Sequence, residues 1–598
     1  MAEKHRVTFP PLRGGLNLAE LDYAAVHDDE SPQLKNLWWS GGVLRSRPGQ
    51  VRLIEGTAPG VAAYGEAFHG WGFFHCGSAI LCADLAAPKP EYRTIYTGLG
   101  AEGGDFFPYG ECLYYKCPGY FVRIACTGEG EVPFSAGDLT DRAYVPTILL
   151  NADPASGAGD RYQSENRLTG KMRVRYAPGK DITAYRLPLQ EVEEVAEVTV
   201  GGAAVDFTAD LAAGLVTLAA APGEEEEVTI VFRKDNPEAL AAVMECRFGA
   251  VCGVETEVCM VLGGGERQKN AVYWNGNGSA GMEDAYFPLP CYNLCGDSGE
   301  AVTGFGRQYE QFIVLKEGSV GRLSAALETV EGRSVPALSY GEVNGLVGCD
   351  LPGTARLVEN NLVFASSRQG VMMLLSASAA YENNLRCISR KVNPGLLALL
   401  ARGERAAALD DDGRYWLSCG EEVYLWDYTI SSAEDPSWFY FTGIAASGFL
   451  RFGTERFLLG RDGSLIALRE VFSDFGRGIE KVCRFPARSF GSYDRLKDVT
   501  AVSIAVRHDV DSDITLEYET DWGTWRDGTP IRNYSYRLVP RNLARRYLGV
   551  GRFAHVEHRR PPAKAVRHFA LGLYNDRPGE DLSVVSAAVE YRLRRKER

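Results

Sequence analysis

The chain has 598 residues, 45% of them apolar and 24% charged, and a formal charge of −14 at pH 7. That composition supplies a sizeable packed core and excludes wholesale disorder; at roughly 150 residues per domain the length allows about four units, or one propeller that absorbs most of it. Net acidity argues against a general nucleic-acid coat, no apolar run approaches the ~18 residues of a membrane helix, and the opening MAEKHRVTFPPLRGG lacks the apolar stretch of a secretory leader.

The first distinctive segment is Arg13–Gly49. It reads as an extended arm with GGLNL (Gly14–Leu18), a polar turn, a short turn or helix carrying Trp38–Trp39, and a Gly-Gly hairpin closing on Arg47-Pro48-Gly49. Two adjacent tryptophans are costly to leave in water, so they are expected to dock.

Beyond the arm, a unit of strand, tight polar turn and strand recurs. It appears at His69–Leu85, Gly110–Ile124, Glu257–Trp274, Gln311–Leu323, Asn361–Leu374, Gly413–Asp427 and Glu455–Leu468. Most starts lie roughly 40–55 residues apart, the blade length of a propeller. The interval from Gly110 to Glu257 is too long, and Leu149–Pro237 within it has its own texture, with Gly201–Gly202 and Pro222–Gly223 turns between apolar strands. It is expected to be a small sandwich inserted in a loop. Helical periodicity is confined to Pro237–Met244 and Asn393–Ala401.

The last ~120 residues alternate at period two over Val499–Arg507, Ile514–Thr520, Val566–Tyr574 and Ser583–Leu593, as a sandwich requires. They also own a basic excess. Arg532–Arg598 holds 16 Lys/Arg and 6 Asp/Glu, a net of +10, leaving −24 on the other 531 residues. The expected class is therefore all-β: a six- or seven-bladed β-propeller with an inserted small β-sandwich and a jelly-roll-like C-terminal β-sandwich. The expected divisions are an arm at 1–49, propeller at 50–148 and 238–480, the insert at 149–237, and the basic unit at 481–598.

Catalytic and metal signatures are weak. The 14 cysteines are scattered, no pair has CxxC spacing, and no histidine lies between His75 and His508, so reduced buried thiols are expected in place of a zinc site. His555 and His558 are placed on opposite faces of a strand. Gly263–Gly265 lacks the pattern and following helix of a phosphate loop, and Glu224–Glu227 reads as a solvated turn. LDDDGRYW resembles the Asp-box turn of sialidases at Asp411, Gly413 and Trp416, with Leu409 where Ser belongs; that box shapes a turn and does no chemistry. No enzyme activity, cofactor or metal is expected. The basic end RLRRKER, with Arg592, Arg594, Arg595 and Lys596, is expected to be mobile and to meet an acidic partner.

The most specific segment resembles the N-terminus of tailed-bacteriophage structural proteins known as packaged-DNA stabilisation or tail nozzle proteins. Gly14, Gly15, Asn17, Glu30, Ser31, Asn36, Trp38, Gly42, Leu44, Arg47, Pro48 and Gly49 match, with Trp39 beside them. Further similar stretches are Ala271–Gly278 with Tyr286–Pro288, Thr303–Ser319 and Ser431–Phe441, and the insert is similar to a module of other phage tail proteins. The resemblance runs from Arg13 to about Leu468, insert excluded.

It implies a propeller that assembles as a ring, commonly a hexamer, below the portal and adaptor. Such a ring extends the DNA channel, retains the packaged genome and mounts receptor-binding proteins. For this chain the resemblance implies a virion location, assembly in the bacterial cytoplasm, passage of double-stranded DNA without sequence-specific binding, and an N-terminal motif buried between copies. A receptor- or carbohydrate-binding tail protein and a propeller glycosidase are the alternatives.

Overall fold

The structure, a computed structural model, describes residues 3–56, 62–128, 130–179, 181–254, 257–276, 283–330, 333–377, 384–491, 493–507, 510, 512–533 and 554–594. The chain is all-β, with 52% strand and 4% helix, and no sheet closes on itself among the described residues. Both helices expected from the sequence are present, at Pro237–Met244 and Asn393–Leu400. In the first, Pro237 occupies the opening turn and the Asn236 side chain accepts from the Ala239 amide, closing off a free donor.

Seven sheets share one plan, an antiparallel run of four strands. Their first strands are Ala62–Phe68, Asp105–Tyr109, Phe248–Val254, Val302–Gln308, Arg356–Val358, Ala406–Asp411 and Ala446–Phe452. Each of the seven repeats read from the sequence supplies the two middle strands of one sheet, as Trp71–Cys76 and Ala79–Asp84 do in the first. These middle strands are apolar on both faces because both faces are covered. Phe73 packs toward Leu113 and Ile124 of the next sheet, while Phe74 packs toward Phe457 and Leu465 of the seventh. Ile313 and Leu315 face Phe364 and Met372, whereas Phe312 and Val314 face Val261 and Trp274. Period-two geometry sends neighbours to opposite faces, and a sheet lies on each side.

The first strands touch in cyclic order, each meeting the next and Ala446–Phe452 meeting Ala62–Phe68. The seventh sheet takes its fourth strand from the other end of the chain. Gly49–Ile54 pairs antiparallel with Leu465–Arg469. The sixth sheet is widened in the same way, by Gly15–Leu16 beside Trp438–Thr442 and then Glu30–Ser31.

Residues 147–233 form a six-stranded and a three-stranded sheet over one apolar core, which includes Tyr176, Tyr185, Val216 and Phe232. At the C-terminus two six-stranded sheets share another, with Val502, Ile504, Leu516, Leu571 and Val589. The N-terminal arm and hairpin expected at 1–49 are paired into these two sheets. Lys4–Phe9 pairs with Val584–Leu593, Leu37–Ser40 and Val43–Ser46 join the same sheet, and Gln33–Lys35 pairs with Lys481–Arg484 of the other. An isolated extended arm leaves its backbone groups unpaired, and this pairing satisfies them.

Candidate functional site

Two places concentrate unusual chemistry: the junction built by the N-terminal motif, and a cavity where the first strands meet.

At the junction, Arg47 is only 1% exposed, yet all five of its donors are used. Nε donates to Asn36 Oδ1 (2.9 Å), Nη1 to Pro48 O (2.9 Å) and Asp474 Oδ1 (3.0 Å), and Nη2 to Thr442 O (2.9 Å) and Asp474 Oδ2 (2.5 Å). Asn36 sits at φ 57°, a region Asn tolerates well. Its Oδ1 also accepts from the Thr442 amide, and its Nδ2 donates to Thr442 Oγ1 and Glu480 O. Trp38 is buried edge-on against Trp416 and Phe441, with the Arg414 guanidinium 4.5 Å above its ring. Trp39 is half-buried and its carbonyl accepts from Arg414.

Gly15 and Gly49 mark backbone crossings. A Cβ on Gly15 would lie 2.2 Å from Trp438 O, and one on Gly49 2.1 Å from Ser473 O. Gly14 packs close to Glu30, and Asn17 Nδ2 donates to Glu30 Oε2 at 2.6 Å. Glu30 also pairs with Lys391 at 2.7 Å. Pro48 is buried between these contacts. The structure thus brings the whole motif together, but inside its own chain. Within the chain, Gly14, Gly15, Asn17, Asn36, Trp38, Trp39, Arg47, Pro48 and Gly49, expected at an interface between copies, contact one another and residues from Lys391 to Glu480.

Arg592 lies in a strand opposite Lys4 and Asp498, and Arg594 pairs with Asp498 at 2.8 Å. Arg595 and Lys596 lie outside the described residues. His555 and His558 fall on strand His555–Arg559, where His558 meets Ser503 Oγ at 2.8 Å and His555 meets Glu557. Asp411 of the Asp-box-like turn is buried and pairs with Arg451 and Arg456.

The cavity, about 450 Å³, is lined by Glu66, Asp105, Arg356, Leu409, Phe449 and Arg451 from five first strands. Burial pushes the Asp105 carboxyl up to about 7, and neighbouring Glu66 adds to the rise. Opposing this are Arg356 and the amides of Gly249 and Phe106, which hydrogen-bond the carboxylate. Glu66 is likewise raised, by burial first, against Arg356. Two carboxyls near one guanidinium, one of them raised to about 7, can hold a proton and grip hydroxyl or cationic groups. The sequence reading missed them, since nothing local separates these two from the other acids. A polar residue on an otherwise apolar first strand was the available signal.

No family model matches the chain, and no curated protein matches it by sequence. Two similar solved structures are the computationally designed Ika8 protein, at 9% identity, a TM-score of 0.31 and coverage of 70% of this chain and 99% of that one, and a complex of S. cerevisiae Dbp5 with Nup159, Gle1, IP6 and ADP, at 8% identity, a TM-score of 0.24 and coverage of 72% and 97%. Neither likeness identifies a function.

Proposed function

We propose that the chain is a structural protein of a tailed-bacteriophage virion, a neck or tail nozzle component with no catalytic role. In this reading the seven sheets are the blades of a β-propeller closed by Gly49–Ile54, and the two remaining sheet pairs are the inserted and C-terminal sandwiches. The observation that carries it is the use made of the N-terminal motif. The residues that resemble the tail proteins are those that lock the last sheet to the first residues and to the C-terminal sheets, which makes a rigid annular block. Copies of such a block would meet head to tail in a ring, commonly a hexamer, through surfaces other than that motif.

The ring would contact an adaptor, the portal-proximal ring and receptor-binding proteins. Its −24 body would let double-stranded DNA slide without sticking, and the basic C-terminal unit would face a neighbour. Location of the protein in purified virions, with native mass measurement of the free ring, tests this. A monomer absent from particles would refute it. One observation favours a second reading, a propeller glycosidase: the Glu66–Asp105 pair in the cavity. Turnover on a polysaccharide panel that disappears in Asp105→Asn would support that reading against the first.

A further inference from the structure

We propose that the end of the C-terminal sheets bearing Trp522, Tyr493 and His568 is a binding site for an acidic oligosaccharide. Trp522 is 76% exposed, and no other of the nine tryptophans is so placed. An indole left in water at the tip of a hairpin contributes nothing to the core and loses the favourable transfer of its ring.

The ring is nonetheless held in place. Its Nε1 donates to Ala565 O at 3.3 Å, and its backbone amide donates to Thr520 Oγ1 at 3.2 Å. The adjacent Asp521 carboxylate clamps the same segment, accepting from the amides of Arg567 (2.6 Å) and His568 (2.7 Å) and from His568 Nδ1 (3.3 Å). Tyr493, 58% exposed, lies 5.2 Å from the His568 ring. Three distant stretches of sequence therefore meet here: Trp522 at Ala565, Asp521 at Arg567 and His568, and Tyr493 at His568.

The chemistry of the occupant follows from what remains free. The sole indole donor is spent, so Trp522 offers only its flat π face. That face suits the C–H groups of a pyranose ring, which stack without needing a donor. Beside it, Arg567 and Lys564 are exposed and enter no ion pair among the described residues, so they are available to a carboxylate. Asp494 and Asp521 both act on Lys497, whose ammonium donates to Arg567 O at 3.3 Å.

The test is calorimetric titration of the full chain with polysialic acid, polygalacturonate, neutral dextran and oligothymidylate. One of the two acidic glycans is expected to bind more tightly than dextran. Trp522→Ala is expected to weaken that binding about tenfold with an unchanged melting temperature, because the side chain supports no core. Arg567→Ala is expected to narrow the preference for the acidic glycan over dextran. Unchanged binding in Trp522→Ala, tighter binding of oligothymidylate, or no binding of either acidic glycan at millimolar concentration would each overturn the proposal. None of these outcomes depends on whether the chain belongs to a virion.

Discussion

Arg47 and Asp474, 427 positions apart, are joined by two hydrogen bonds of 3.0 and 2.5 Å in a site that leaves Arg47 almost without solvent. The pair closes the chain on itself. Removing the guanidinium would strand Asp474 and Asn36 with unmet partners, and breaking a buried pair costs about 3–5 kcal/mol. Arg47→Met is therefore expected to lower the thermal unfolding midpoint sharply. Arg47→Lys is expected to recover only a minor part, because an ammonium has three donors on a point charge and cannot reproduce five bonds in a plane. Scanning calorimetry of the three proteins checks both expectations.

The glycines of the motif separate into two kinds. Gly42 has φ 80° with open space around it, so Gly42→Ala should cost only the left-handed conformation, about 1–2 kcal/mol. Gly49 has no such strain, but its added Cβ would fall 2.1 Å from Ser473 O, a contact that neither backbone can yield. Gly49→Ala is expected to destabilise more than Gly42→Ala despite its ordinary φ. Limited proteolysis should then cut within Gly49–Ile54 sooner in Gly49→Ala.

This contrast shows where the sequence is readable. The seven hairpins were legible because their strands are apolar on both faces and their turns carry glycine at positive φ, such as Gly77, Gly119 and Gly413. Strand-to-strand closure was not. Nothing in GQVRLI says that it pairs with LIALR 416 positions later, since such pairing depends on how all the intervening sheets are arranged. The motif itself was visible, but its role was not: Trp38 looked like a docking residue, and its dock is Trp416 of the same chain. Glu66 and Asp105 each stood out only as a polar residue on an apolar strand, and their juxtaposition could not be read because it depends on contacts between the first strands of different sheets.

The cavity gives a pH signature. The Asp105 carboxyl is raised from an ordinary 3.8 to about 7, so the folded state holds a proton that the unfolded chain has released. Between about pH 4 and 7 the folded state binds more protons, and stability therefore falls as pH rises through that window. Asp105→Asn keeps an acceptor for the Gly249 and Phe106 amides but cannot ionise. It is expected to flatten the slope and to be the more stable protein at pH 8, by on the order of 2 kcal/mol once solvent in the cavity is allowed for. Melting midpoints of both proteins at pH 5 and 8 decide the matter; parallel changes would exclude Asp105 as the cause.

Thiol chemistry offers a local probe of closure. All 14 cysteines are free; Cys126 is exposed, Cys387 is half-buried and the other twelve are buried. Burial pushes Cys76, Cys246 and Cys295 up to about 12 and Cys483 still higher, so these thiols lack both access and the reactive thiolate. Iodoacetamide on the native protein is expected to modify Cys126 first and Cys387 more slowly, with the rest reached only on unfolding. Cys483 is the informative one, because it pairs directly with Leu34 of the N-terminal segment. If Arg47 holds that segment down, Arg47→Met should accelerate labelling of Cys483 while leaving Cys259, buried between two four-stranded sheets, protected. Equal acceleration at both sites would mean that the variant unfolds the sheets as a whole, and no acceleration at Cys483 would mean that Arg47 does not govern the closure.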